Sequence, residues 1–264
     1  MKIHCLLLSL FLSLFSPAWG KEEFAPEFYA FFNGLPELSH QKEAELLKEL
    51  GYDGISQIYG RDEGLAERVE VYEKAGLKVL SVYMPATDEP VKPQAVQPLA
   101  NGGFIELTVK KKSPEIVDSL RKTAAMAAEL NIKVALYPHF GDDIATMDQA
   151  LALVEEVNHP NLGVMFNLCH FMRSESIDDL EAAIEKAGPR LFSVSTNGAD
   201  LDGKDWATLI RSLDQGTFPQ ERLLNALEKI GYTGPVGLQC YNVPGDKKAS
   251  LQASIKAWRE LTGS

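Results

Sequence analysis

The chain has 264 residues, with 26 Lys and Arg against 37 Asp and Glu and a formal net charge of −11. That acidity argues against a nucleic-acid partner, whose phosphates are met by clustered cations; the only basic run, Lys110-Lys111-Lys112, sits directly before a helix start and reads as solvated surface. The length fits one large domain, because α/β barrels reach this size undivided.

Residues 1–20 carry Lys2, an apolar stretch from Cys5 to Phe15, Pro17 and a small-x-small end at Ala18-Trp19-Gly20. This is the pattern of a secretory signal peptide, cleaved near Gly20. The stretch is shorter than the roughly 20 apolar residues of a membrane span, and no later segment approaches that length, so no stable membrane insertion is expected. The expected mature protein is an exported single domain, 21–264. Losing Lys2 and no acid takes its charge from −11 to −12. Two cysteines remain, Cys169 and Cys240. Both are expected as buried thiols lining a pocket, with a disulfide as the alternative that export permits.

From Phe28 onward one grammar repeats: an amphipathic helix, a Gly or Asn stop, then a short apolar strand. Phe28 to Asn33 is the first strand. Ala44 to Leu50 is a helix stopped by Gly51 and followed by a strand at Ile55 to Tyr59; Leu65 to Ala75, Gly76 and Leu77 to Met84 repeat the unit. The Pro-rich connection Pro85 to Gly103 reads as a lid-like excursion before the strand Phe104 to Val109. Ser113 caps the next helix with Pro114 at its first position; that helix runs from Ile116 to Leu130, stops at Asn131 and gives way to the strand Ile132 to Tyr137. Strands at Leu162 to Phe166 and Leu191 to Ser195 follow. The long connection Asn197 to Thr217 holds a short helix around Trp206 to Leu213, and Leu223 to Ile230, Gly231 and Val236 to Cys240 complete the series. Eight apolar strands alternating with helices imply a parallel sheet closed into a (β/α)8 barrel. A doubly wound open sheet is the runner-up, but it usually carries a Gly-rich loop after its first strand, and none is present.

Ligands of parallel α/β folds bind beyond the carboxyl ends of the strands. Four strands here end in Tyr137-Pro138-His139, Asn167-Leu168-Cys169-His170, Ser195-Thr196-Asn197 and Gln239-Cys240-Tyr241. Tyr137, Asn167, Ser195, Asn197 and Gln239 are the candidate binding residues; Asn167 and Gln239 have the alternative of satisfying buried backbone groups. His139 and His170 are candidate acids or bases, against the plainer reading of buried, hydrogen-bonded histidines. Glu106, the one carboxylate in an apolar strand, is the third catalytic candidate, or else the partner of a rim lysine. Tyr83, Arg61, Arg173 and Asp200 also follow strands, as similar residues do on any barrel.

These strand ends, together with Phe192-Ser193-Val194-Ser195, Leu213-Asp214-Gln215-Gly216 and Gly231-Tyr232-Thr233-Gly234-Pro235-Val236, resemble the xylose isomerase-like TIM barrels. That superfamily comprises sugar-phosphate isomerases and epimerases and also metal-dependent endonucleases for abasic DNA. The resemblance implies a divalent metal, such as Mn, held by Glu, Asp, His and Glu at the ends of strands five to eight. Carried over, those positions fall on Tyr137, Asn167, Ser195 and Gln239, all neutral, so no metal and no other cofactor is expected. His139 and His170 match residues that surround the substrate in metal-using relatives. The implied function is isomerisation or epimerisation of a neutral carbohydrate or polyol. Elimination on an oxidised sugar and non-catalytic carbohydrate binding are alternatives, and DNA repair is disfavoured by acidity and export.

The mature N-terminus should lie within about two residues of Lys21. Intact-mass analysis of protein recovered from the periplasm or medium checks this, and a full-length cytoplasmic product would contradict it.

Overall fold

A computed structural model describes residues 24–60, 64–100 and 102–264. The expected leader and Arg61 lie outside the described residues. Eight parallel strands run β1 (Phe28–Phe31), β2 (Gly54–Ser56 and Ile58–Tyr59), β3 (Lys78–Val79 and Ser81–Pro85), β4 (Phe104–Thr108), β5 (Lys133–Leu136), β6 (Leu162–Asn167), β7 (Leu191–Thr196) and β8 (Val236–Leu238). Each pairs with the next, and β1 closes the ring by pairing with β8, Phe28 opposite Val236, as well as with β2, Tyr29 opposite Gly54. The fold is the expected (β/α)8 barrel.

Among the described residues ten α-helices cover or cap the ring: α1 (His40–Leu50), α2 (Leu65–Ala75), α3 (Pro93–Val96), α4 (Pro114–Glu129), α5 (Met147–Val157), α6 (Leu168–Ser174), α7 (Leu180–Ala187), α8 (Trp206–Leu209), α9 (Gln220–Lys229) and α10 (Lys247–Thr262). Their ends follow local chemistry. The Ser113 hydroxyl accepts from the Ile116 amide with Pro114 at the first position of α4, and α1 and α2 stop at Gly51 and Gly76, both left-handed. Helix α4 buries Ile116, Leu120, Ala124 and Ala127 along one face, the stripe its sequence spacing requires.

Strand alternation sends every second residue to the barrel axis, and the break in β3 at Leu80 and the bulge in β7 at Phe192 each put two consecutive residues there. Tyr29, Leu80, Phe104 and Phe192 pack together as an apolar plug. Next along the strands come Ser81, Glu106 and Ser193, a polar layer, and then Tyr83, Tyr137 and Gln239 toward the carboxyl ends. On the outer side, Phe28 stacks on Trp258 of α10 with ring centroids 4.2 Å apart, and on Tyr52 at 5.6 Å.

The connection from β3 to β4 is not a lid. It holds α3 and a helical turn at Gln97–Leu99; Val96 and Leu99 are buried, and the Val91 amide donates to Thr123 Oγ1 of α4 at 3.0 Å. Its apolar residues draw it onto the flank of the barrel.

Trp258 holds the last helix against the first strand, where the ring closes. Trp258→Ala should cost roughly 3–5 kcal/mol of unfolding free energy, the range for emptying a buried aromatic site. Urea denaturation followed by far-UV circular dichroism measures it.

Candidate active site

A cavity of about 300 Å³ opens at the carboxyl ends of the strands. Asn33 and Gln57 line it from the ends of β1 and β2, with Tyr59 and Tyr83 beside them; Tyr137, His139 and His170 form the opposite wall. Gln239 and Tyr241 come from β8, while Trp206 and Ile210 come from the loop after β7. With neutral histidines, none of these side chains is charged.

The aromatic wall is continuous. Tyr83 meets Tyr137 edge-on at 5.6 Å between centroids, and Tyr137 meets His139 and His170 at 5.7 and 5.4 Å. The two imidazoles lie 4.0 Å apart, and Trp206 packs on His170 at 5.1 Å.

The backbone of one residue, Phe140, orients both histidines. The Phe140 amide donates to His170 Nδ1 at 3.1 Å, and the Phe140 carbonyl lies 3.1 Å from His139 Nδ1. An amide N–H only donates and a carbonyl only accepts, so the hydrogen bonds assign the tautomers. Neutral His170 carries its proton on Nε2 and neutral His139 on Nδ1, leaving one Nε2–H donor and one Nε2 lone pair. Burial and the neighbouring His139 push His170 down to about 3, and burial also lowers His139. Both are therefore neutral at pH 7.

Burial raises the Tyr137 phenol well above its ordinary value, so it stays protonated; it accepts from Asn167 Nδ2 at 2.8 Å, and Gln239 also bonds to it. Gln239 Oε1 accepts from the Tyr241 amide at 3.1 Å and from Asn33 Nδ2 at 3.4 Å.

The other expected residues sit behind this surface. Asn167 caps α6: its Oδ1 accepts from the His170 amide at 3.2 Å and from the Cys169 thiol at 3.0 Å, because the helix begins directly after β6. Ser195 is fully buried, and its hydroxyl has no hydrogen-bond partner among the described residues. Asn197, expected at the ligand, is a loop anchor instead. Its Nδ2 donates to the carbonyls of Gly198 and Leu209 at 2.8 and 2.6 Å, which fixes the loop that presents Trp206 and Ile210. The cysteines are buried and free, yet neither lines the cavity: Cys169 packs with Leu209 and Ile210, and Cys240 sits so close to Gly34 that a Cβ there would fall 1.9 Å from its sulfur.

Glu106 lies in the polar layer beneath the floor. It accepts from Gln57 Nε2 at 2.7 Å and from Ser193 Oγ at 3.2 Å rather than meeting a rim lysine. Burial lifts its carboxyl to about 7 against those hydrogen bonds. Gln57 holds a left-handed backbone, φ 55°, that interrupts β2, and its amide donates to Ser81 Oγ at 2.9 Å. With Nε2 committed to Glu106, Gln57 has Oε1 left for the cavity. Such a conformation is uncommon for a non-glycine residue and clusters at functional sites.

Sequence reasoning set Tyr83 aside and missed Gln57, Asn33, Tyr59, Trp206, Ile210 and Tyr241. Period-two alternation from Phe31 gives Asn33, and from Gln57 gives Tyr59, so those were open to discovery. Trp206 was not, since only the folded loop brings it to His170. Arg173 lies over the Phe140 ring, and Asp200 pairs with Arg211 at 2.6 Å, both outside the cavity.

The family model described as xylose isomerase-like TIM barrel matches residues 108–261. The chain belongs to that family. Inosose isomerase from Bacillus velezensis is 25% identical over 162 residues, 58% of this chain and 54% of the relative, so the chain spans about half the length of that relative. Among solved structures, 3-keto-D-glucoside 4-epimerase from E. coli superposes with a TM-score of 0.71 at 18% identity, over 89% of this chain and 99% of that one. The IOLI protein, solved with a bound zinc atom, gives 0.70 at 19% identity, over 90% and 98%. At those identities the structures establish a shared fold. In this xylose isomerase-like barrel, no three His, Cys, Asp or Glu side chains among the described residues gather where they could hold an ion.

Because folding raises Glu106 above its ordinary value of 4.5, the fold favours the protonated carboxyl. Its stabilisation is full at low pH and is lost as pH rises through about 7. Glu106→Gln keeps the neutral form at every pH. Between about pH 4 and pH 8 the wild type should lose roughly 3 kcal/mol of unfolding free energy that the variant retains, read by urea titration at each pH.

Proposed function

We propose that this chain is an exported enzyme that isomerises or epimerises a neutral carbohydrate or polyol in its oxidised, carbonyl-bearing form, without a divalent metal. The observation that carries the reading is the Phe140 backbone, whose N–H and carbonyl set a donor and a lone pair side by side in a cavity without charge. Sugar hydroxyls donate and accept together, and here Gln57 Oε1 and His139 Nε2 accept while His170 Nε2–H donates. Aromatic walls suit the apolar faces of a sugar ring. The relatives are sugar isomerases and epimerases, which supports the same substrate class.

In this reading His139 Nε2 removes the proton from the carbon beside a carbonyl, and the electron pair moves onto the carbonyl oxygen. His170 Nε2–H and the Tyr137 hydroxyl hydrogen-bond the developing oxyanion. Delivery of a solvent proton to the opposite face, with His139 releasing the one it took to solvent, epimerises; return of the His139 proton to the neighbouring carbon, with transfer between oxygens, isomerises. Loss of a leaving group from the carbanion instead gives the elimination expected as an alternative. Glu106 serves from beneath by fixing the Gln57 amide.

The donor set does not fit the metal that the family resemblance implies. Hard divalent cations want anionic oxygens or imidazole. The four positions hold a neutral phenol, a capping amide, a buried hydroxyl and an amide whose oxygen already accepts two hydrogen bonds. That replacement also favours a second reading, a carbohydrate-binding protein without catalysis.

His139→Gln separates the two readings: an enzyme should lose turnover by about 10²-fold or more with a far smaller change in affinity, whereas a binding protein loses affinity alone. Gln239→Leu should weaken binding by about 1–3 kcal/mol in either case by leaving a sugar hydroxyl unpaired. Calorimetry and steady-state kinetics on a sugar found by screening give both numbers; unchanged values in both folded variants would place the ligand elsewhere. Elemental analysis of native protein should find no stoichiometric Mn, Zn or Co, and one tightly held ion per chain would refute the metal-free reading.

A further inference from the structure

We infer that the groove running outward from the cavity between the ends of β1, β2 and β8 receives a second sugar ring, so that the ligand is a glycoside of at least two rings. This rests on the reading of the cavity as a carbohydrate site. The cavity, about 300 Å³, is at the small end of ligand sites, whereas the groove adds about 670 Å³. The two are continuous: Asn33, Tyr59 and Tyr241 line both. Tyr59 and Tyr241 are 51% and 49% exposed, unusually bare for large aromatic side chains, and they stand where one space opens into the other. A linkage passing between them would keep a ring on each side.

The groove's chemistry repeats that of the cavity. Phe32 forms an apolar wall, packed edge-on against Tyr59 at 5.6 Å. Arg68 is paired with Glu43 at 3.0 Å, and the ammonium of Lys247 is tied to the Leu35 carbonyl at 2.7 Å. Lys42 and Glu37, exposed at its edge, carry opposite signs. The lining leaves a single net positive charge, on the tethered Lys247, too little to cradle a phosphate, a nucleotide or a strongly charged peptide, and it offers hydrogen bonds beside an apolar face to a neutral ring. It is also preformed. Lys247 ties down the turn after β1, and the contact of Gly34 with Cys240 seats the same turn against β8, so binding would not have to order that wall.

The test uses the mature protein, calorimetry and saturation-transfer NMR, with a panel of hexoses and pentoses, their methyl glycosides, and their 1,1-, 1,3-, 1,4- and 1,6-linked disaccharides. The best disaccharide should bind about tenfold or more tightly than its methyl glycoside, with saturation reaching protons of both rings. Ser39→Trp, which fills the groove without touching the cavity lining, should bring the disaccharide to the methyl glycoside's affinity and confine saturation to one ring; Leu38→Trp is the second variant should the first misfold. Equal affinities, saturation of one ring in the wild type, or disaccharide binding indifferent to both folded variants would overturn the inference while leaving the cavity reading in place. Failure of every saccharide to bind, or binding untouched by Gln239→Leu, would instead remove the cavity reading and the inference with it.

Discussion

The backbone of Phe140 decides what the cavity is able to do, because it gives its N–H to one imidazole and its carbonyl to the other. Two neutral histidines in contact would otherwise be free to exchange tautomers and rotate; with both Nδ1 atoms engaged, each ring has only its Nε2 left for a ligand. That backbone occupies its position because His139, at the end of β5, and His170, in the first turn of α6, come from adjacent strands of a closed parallel ring. Neither histidine depends on a carboxylate partner. Burial is the main cause that lowers both, and in His170 the neighbouring His139 adds to it.

The polar layer below follows the same economy of charge. Among the described residues Glu106 is the sole carboxylate the axis carries at that level, and the fold holds it with an amide and a hydroxyl rather than a cation. Neutral donors stabilise a buried carboxylate only in part, which is why its proton is held into the neutral range. The strain in Gln57 belongs to this arrangement: a left-handed residue within β2 places its amide on Glu106 while the residue still lines the cavity. Floor, wall and capping groups thus interlock without a formal charge facing the cavity, the reverse of what a divalent cation would demand.

Much of the fold was legible because it rests on local periodicities. Ser113 and Pro114 mark the start of α4, Gly51 and Gly76 mark the ends of α1 and α2, and apolar strands between them leave few topologies other than a closed barrel. Strand ends were legible for the same reason, and Tyr137, His139, His170 and Gln239 do meet at one cavity. Asn167 and Asn197 carry the residue type of a ligand contact, but that type serves equally as a helix cap and as a loop anchor, and a single sequence does not say which backbone groups are near. The proline-rich connection before β4 looked like a lid because proline marks irregular backbone; burial of Val96 and Leu99 against the barrel is a tertiary property.

The sequence by itself therefore determined the parallel strand–helix alternation and the neutral character of the strand-end positions, both functions of residue type and short spacing. Tertiary structure alone decided the rest. The histidine tautomers depend on the Phe140 backbone, 30 residues from His170, the depth of Glu106 on Gln57 and Ser193 from other strands, and the far wall on where the loop after β7 sets Trp206. Those contacts join residues distant in the chain, and only closure of the ring, which fixes where every strand end stands relative to its neighbours, brings them within hydrogen-bonding and packing range.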